Sequence, residues 1–308
     1  MATLRFRLFG KFSIQRDDEL INGLDAGKDR ELLSYLLIRR DRSHPRETLA
    51  SLLWGETSTE KSKKYLRQAL WHVHAALETG DPACPQAVLV GHDWIQMNLV
   101  SGIWLDVAAF EEAFAITRGV PGKQLDSSRA EILKEAVRLY RGDLLEGCYQ
   151  DWCLFERERL QNIYLSMLEK LMIYSKEHRE YEIGQSYGSV ILQYDRARES
   201  THRQLMQLQY EAGDRTAALR QYERCVRALD EELGVKPQRS TTTLYDQIRA
   251  DRLEETSVSH GHANSLPVAS LPDVLGRLKQ LQLVLAALQR RLQRDVKAVE
   301  KSLGTTER

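Results

Sequence analysis

Four cations fall within seven residues, at Lys61, Lys63, Lys64 and Arg67. Gln68, Trp71 and His72 follow on the next turn of the same stretch. Ammonium and guanidinium groups neutralise phosphates, and Arg and Gln read base edges, so the cluster has the chemistry of a duplex-DNA contact. The apolar residues Leu66, Leu70, Val73 and Leu77 recur at steps of four, three and four, which predicts a helix over 58–78 with that stripe buried. Lys61, Lys64, Gln68, Trp71 and His72 then share the opposite side, with Arg67 on the flank and Lys63 nearer the buried edge. A basic helical face that meets only solvent is the competing reading of this pattern.

Other reactive groups do not converge. His72 and His74 point to two sides of one helix, and Cys148 and Cys153 have no second pair at matching spacing, so no metal is expected. His260 and His262 lie in a stretch of linker composition. Neither a Gly-x4-Gly-Lys-Ser/Thr loop nor a Gly-x-Ser-x-Gly elbow occurs, and the adjacent carboxylates Glu231-Glu232 and Glu254-Glu255 belong on helix surfaces. The chain is therefore expected to be no enzyme and to carry no cofactor. Cys148 and Cys153 would sense oxidants only as exposed thiolates, and burial in helix packing is the reading adopted.

The 308 residues hold 44 basic and 44 acidic side chains, but this neutrality is regional. Residues 1–100 contain 14 Lys/Arg and 13 Asp/Glu, 101–273 contain 22 and 28, and 274–308 contain 8 and 3. Any nucleic-acid contact must then be local and oriented, while the acidic middle should face protein. A chain 42% hydrophobic and 29% charged is globular and long enough for two domains with an appendage. With 18 Gly and 7 Pro, a sandwich or barrel is disfavoured. No membrane span or secretory signal is legible, and Cys84, Cys148, Cys153 and Cys225 form no disulfide framework, so a cytoplasmic location is expected.

The alternation Leu4-Arg5-Phe6-Arg7-Leu8-Phe9, with Phe12 and Ile14 after Gly10, predicts two short half-buried strands. Helices are predicted over 28–39 and 45–54, ahead of the basic helix. Ala87–Val90 and Trp94–Leu99 around Gly91-His92-Asp93 then read as a hairpin. Strands, three helices and a closing hairpin are the parts of a winged helix-turn-helix, whose third helix enters the major groove. From Asp106 onward, apolar spacing predicts helices over 106–118, 127–140, 152–176, 181–194, 198–211, 215–232 and 240–252. Gly184-Gln185-Ser186-Tyr187 aligned with Leu219-Arg220-Gln221-Tyr222 gives an offset of 35, near the period of tetratricopeptide repeats.

Leu32-Leu33-Ser34-Tyr35-Leu36, Arg46-Glu47-Thr48-Leu49-Ala50-Ser51-Leu52-Leu53-Trp54 and Leu66-Arg67-Gln68-Ala69-Leu70 look like phrases of the SARP-type bacterial transcriptional activators. Further phrases are Tyr140-Arg141-Gly142-Asp143-Leu144-Leu145, Phe155-Glu156-Arg157-Glu158-Arg159-Leu160, Gly213-Asp214-Arg215-Thr216-Ala217-Ala218-Leu219-Arg220-Gln221-Tyr222-Glu223 and Leu233-Gly234-Val235-Lys236-Pro237. Where the family commonly continues with arginines, this chain has Trp71-His72-Val73-His74. The resemblance spans about 3–252. It implies a response-regulator-type winged helix joined to a bacterial transcriptional activator domain, binding promoter DNA and contacting RNA polymerase or a second protomer.

In the tail, Leu271, Val274, Leu278, Leu281, Leu285, Leu288, Leu292, Val296, Val299 and Leu303 follow a heptad pattern with one slip, which suggests a self-associating coiled coil. A single amphipathic helix folded back on the repeats is the other reading. Arg290, Arg291, Arg294, Lys297 and Lys301 make its second half basic. The expected fold is therefore mostly α: a winged helix-turn-helix with a small β-sheet and wing (1–100), a tetratricopeptide-like domain (101–255), a linker (256–270) and a coiled-coil helix (271–303). The expected function is a sequence-specific transcriptional regulator, an activator that binds promoter DNA and contacts RNA polymerase, and a homodimer or higher homo-oligomer through the helical domain or the coiled coil. The expected DNA-facing set is Lys61, Lys63, Lys64, Arg67, Gln68, Trp71 and His72. The alternative is a protein-interaction scaffold or effector-sensing regulator with weak or no specific DNA binding.

Overall fold

Alternation puts Leu4 and Phe6 inside strand β1 (Leu4–Arg7), and antiparallel β2 (Ser13–Arg16) sets Ile14 opposite Phe6. The computed structural model describes residues 4–17, 19–21, 23–24, 27–77, 86–98 and 102–252. The linker expected at 256–270 and the coiled coil expected at 271–303 lie outside the described residues. After β3 (Glu19–Leu20) come α1 (Gly27–Ile38), β4 (His44–Pro45), α2 (Arg46–Trp54) and α3 (Thr59–Leu77). The hairpin is β5 (Val88–Val90) and β6 (Trp94–Met97), and β6 also pairs with β4. Strand β7 (Ile103–Leu105) lies beyond the boundary expected at residue 100. It runs parallel to β1 and completes a sheet of order β3-β2-β1-β7. Strands of two or three residues, such as β3, β4 and β7, are too short to show a period in sequence.

The remaining helices are α4 (Asp106–Ile116), α5 (Ser127–Leu139), α6 (Asp151–Glu177), α7 (Tyr181–Tyr194), α8 (Glu199–Glu211), α9 (Arg215–Leu233) and α10 (Arg239–Arg249). Each packs on the next, and α6 also touches α8 as α8 touches α10. The turn after α6 places Arg179 at φ 59° and returns the Glu180 N–H to the Ser175 carbonyl. The turn after α8 repeats this with Gly213 at φ 85° and the Asp214 N–H on the Gln209 carbonyl. Equivalent positions are thus 34 residues apart, as are Tyr181 and Arg215, which begin α7 and α9. The offset of 35 is one residue too long: Tyr187 corresponds to Gln221, and Tyr222 instead stacks on Tyr245. Helix α9 stops at Gly234 in the left-handed region, φ 65°, as the Gly-then-Pro order requires.

The two halves share one core and form one compact unit. Asp106, at the first position of α4, is buried, and its carboxylate accepts the backbone N–H groups of Leu8, Phe9 and Val107 at 2.8, 3.0 and 2.7 Å. A strap over 143–148 binds the same edge: the Leu145 N–H donates to the Leu8 carbonyl and the Glu146 N–H to that of Gly10. Leu145 holds φ 50°, an unfavourable conformation for a leucine. The guanidinium of Arg157 supports the strap by donating to the carbonyls of Leu144, Leu145 and Cys148. On the other side Tyr35 of α1 meets Trp152 of α6 edge-on at 5.3 Å. Arg39 and Arg159 share buried Glu156, and Arg40 and Arg159 share Glu111.

Removing Arg157 leaves three strap carbonyls without their cation. Arg157→Ala should cost about 2 kcal/mol and lower the thermal midpoint by about 4–8 °C. An unchanged midpoint in calorimetry would show that the strap holds without it. His202 is buried and its imidazole is pushed below its ordinary value, first by burial. The unfolded chain therefore takes up this proton first as pH falls. Stability contributed at His202 is present above about pH 6.5 and is lost as pH falls below it. Urea titrations from pH 7.5 to 5.5 should show a smaller loss in His202→Asn than in the wild type.

Candidate nucleic-acid interface

Helix α3 is amphipathic, and its apolar stripe packs against α1 and α2: Leu66, Ala69, Leu70, Val73 and Leu77 are all buried. Its C-terminus is closed by Arg16 of β2, whose Nη2 donates to the Leu77 carbonyl at 2.9 Å. A cation there complements the carbonyl end of the helix dipole. The stripe and this cap fix the rotation of α3 about its axis, which decides what the other side presents. Lys61, Lys63, Lys64, Arg67, Gln68 and Trp71 are exposed, and Trp71 is 68% exposed despite its size. Lys61, Lys64 and Arg67 make no ion pair among the described residues, so three cations are available to an external anion.

Two of the expected residues stand differently. Lys63 lies towards α2, where its Nζ meets Glu47 Oε1 at 2.7 Å. That pair is solvent-exposed and weak, so the lysine exchanges partners readily. His72 does not belong with the outward face. It is half-buried, and its Nδ1 is 2.7 Å from Oδ2 of Asp29, a buried carboxylate near the start of α1. The physical reason is that Asp29 needs a partner where water is excluded, and His72 is the donor α3 brings to it.

The hairpin adds residues outside the expected set. Its turn carries His92, almost wholly exposed, beside Asp93 at 2.6 Å, and Trp94 is 41% exposed. Gly91 is required here, because a Cβ would fall 2.4 Å from the Trp94 ring. The Arg46 N–H donates to the Asp93 carbonyl, so the start of α2 anchors the hairpin. The alternation of 94–97 marks the hairpin in sequence, but its approach to α2 comes only from the β4–β6 pairing.

The arrangement suits a duplex: a helix with a cationic exposed face, followed by a two-stranded wing. The wing tip, with its aspartate, adds no cationic grip of its own. Elsewhere, Cys153 and Cys225 are buried thiols, and Cys148 is half-buried. A hydrogen bond from the Cys153 thiol lowers Cys148 to about 6 and raises Cys153. Among the described residues no group of three or more His, Cys, Asp or Glu could hold a metal, and no helix is long and apolar enough to cross a membrane.

Comparisons with known proteins agree with this geometry. Residues 105–249 match the family model described as the bacterial transcriptional activator domain. Over 301 residues the chain is 26% identical to the regulatory protein AfsR of Streptomyces coelicolor, covering 93% of this chain and 29% of that protein. The chain thus spans less than a third of the length of that curated relative. The solved structure described as Mycobacterium tuberculosis EmbR in complex with low affinity phosphopeptide shares the fold. Its TM-score is 0.62 at 18% identity, over 82% of this chain and 66% of that one.

The Asp29–His72 pair generates a clear expectation. His72→Ala should destabilise the protein by about 1–2 kcal/mol, because it strips a buried carboxylate of a partner. Lys64→Ala, at an exposed position, should stay within about 0.5 kcal/mol of wild type. Equal thermal midpoints for the two variants would mean that the pair contributes nothing.

Proposed function

We propose that the chain is a SARP-type bacterial transcriptional activator that binds promoter DNA sequence-specifically through its winged helix and acts in the cytoplasm, a reading supported by its activator-domain match and its likeness to AfsR. The observation that carries this reading is the outward face of α3, where Lys61, Lys64 and Arg67 make no ion pair among the described residues while Gln68 and Trp71 lie between them. In this reading α3 enters the major groove. The cations grip phosphates, and Arg67 and Gln68 read base edges. Trp71 supplies an apolar surface for sugar or thymine methyl groups, and Lys63 joins when it leaves Glu47. His72 acts indirectly, by fixing α3 against α1.

The helical array is read as tetratricopeptide-like, supported by the 34-residue recurrence of its turns. Such arrays offer surfaces to proteins, and the contact with RNA polymerase or a second protomer is assigned to this half. Tyr149, Leu154 and Phe155 favour that assignment. They are exposed within one turn of the start of α6, and Phe155 is 72% exposed. The coiled-coil assignment of 271–303 rests on heptad spacing alone. The family is one of transcriptional regulators rather than enzymes.

A protein-interaction scaffold that binds DNA without sequence preference is the second reading, favoured by the aspartate at the wing tip and the inward turn of His72. Selection from random duplexes separates the two: one enriched sequence means a regulator, and salt-sensitive binding without enrichment means a scaffold. Lys64→Ala with Arg67→Ala should weaken binding and reduce the slope of log K against log salt by about 1.8, the equivalent of two phosphate contacts. An unchanged slope in a gel-shift titration would remove α3 from the interface.

A further inference from the structure

Helices α7, α8 and α9 line a cavity of about 390 Å³ that no part of the proposed DNA interface uses. Its size falls in the range of about 300–1,000 Å³ that small molecules occupy. Leu192, Leu205 and Ala228 contribute apolar surface, and Arg196, Arg224 and Arg227 contribute positive charge. One of these cations, Arg224, is held by a fixed network. The Nε2 of buried His202 donates to the Arg196 carbonyl at 2.9 Å, and its Nδ1 accepts from Gln221 Nε2 at 2.8 Å. Gln221 Oε1 then accepts from Arg224 Nη1 at 3.2 Å. This chain requires a neutral imidazole, and burial favours that form. Arg224 is therefore oriented by two buried side chains, so little ordering remains to be done when an anion arrives.

The charges are not consumed within the protein. Arg196 is shared with Glu231 at 3.0 Å and Glu232 at 3.7 Å, but neither Arg224 nor Arg227 pairs with a carboxylate among the described residues. A second feature points to the same place. Gln209 lines the cavity, is only 8% exposed, and its Oε1 accepts no hydrogen bond. A buried acceptor without a donor costs about 1–3 kcal/mol; Oε1 is itself closed to solvent, so a bound donor recovers this once the Gln209 amide turns towards the cavity.

We propose that this cavity binds a small organic acid that also carries a hydrogen-bond donor. Its carboxylate meets Arg224 and Arg227, its apolar body covers Leu205 and Ala228, and the Gln209 amide turns towards it so that its hydroxyl or amine donates to Oε1. Guanidinium groups suit this role because their planar donors match a carboxylate. The site is independent of promoter binding, and its test needs no DNA.

Saturation-transfer NMR on the full chain, with 4-hydroxybenzoate as probe, tests the site. Benzoate lacks the donor, and 4-hydroxybenzyl alcohol lacks the charge. Saturable binding of 4-hydroxybenzoate is expected, at least fivefold weaker for either control. Arg224→Gln with Arg227→Gln should abolish binding, and Arg227→Gln alone, at an exposed position, should weaken it at least fivefold while leaving the thermal midpoint unchanged. Gln209→Leu should bring 4-hydroxybenzoate down to the affinity of benzoate. Absence of saturable binding, equal binding of the uncharged alcohol, or full binding by the double arginine variant would each overturn the proposal.

Discussion

The structure turns on one buried carboxylate. Asp106 begins the first helix after the winged region and accepts backbone N–H groups from Leu8 and Phe9, where β1 ends, and from Val107. Burial raises its proton affinity, and the three hydrogen bonds and nearby Arg7 oppose that rise. An acid so placed tolerates little movement, because any shift of α4 against the sheet exposes donors or strands the oxygen. The neighbouring contacts between the halves extend this joint. The parallel pairing of β7 with β1 delivers Asp106 to its place, and the strap over 143–148 closes the adjacent edge.

The orientation of the basic helix α3 follows from that joint. α3 is packed on α1, and α1 is tied to α6 by Tyr35 against Trp152 and by Arg39 on Glu156. The helical array and α3 therefore belong to one compact unit. The exposed cationic face of α3 and the helices of the array are thereby set relative to one another by the joint and not by a linker. The SARP-type phrases around Tyr140 and Phe155 have a structural meaning in this light. They contain Leu144, Leu145, Glu156, Arg157 and Arg159, the strap and the residues that hold it.

Arginine does three jobs here that sequence does not distinguish. Arg39, Arg40 and Arg159 are neutralised by Glu111 and Glu156 and serve packing. Arg157 and Arg16 close carbonyl groups. Arg67, Arg224 and Arg227 have no carboxylate partner among the described residues and are open to an external anion. Regional charge identified the basic helix, but partner geometry separated its members. His72 shares the face of Lys61 and Lys64 in a wheel, yet it is held by Asp29, and Lys63, nearer the buried edge, leans on Glu47.

Sequence by itself determined the helices. Their apolar periodicity, Asp and Ser at their starts and glycine at their ends are local properties, and the observed limits of α7 coincide with expectation at 181–194. It also marked the hairpin, the buried stripe of α3 and the basic cluster. The short strands, the corrected offset of 34 and the inward turn of His72 required the tertiary structure. So did the cavity and the single joined body, since each depends on residues far apart in the chain. Asp106 and Leu8 are 98 positions apart, and no local pattern announces that a helix's first carboxylate will cap a distant strand. Local spacing decides which face a helix buries, and only packing decides what that face meets.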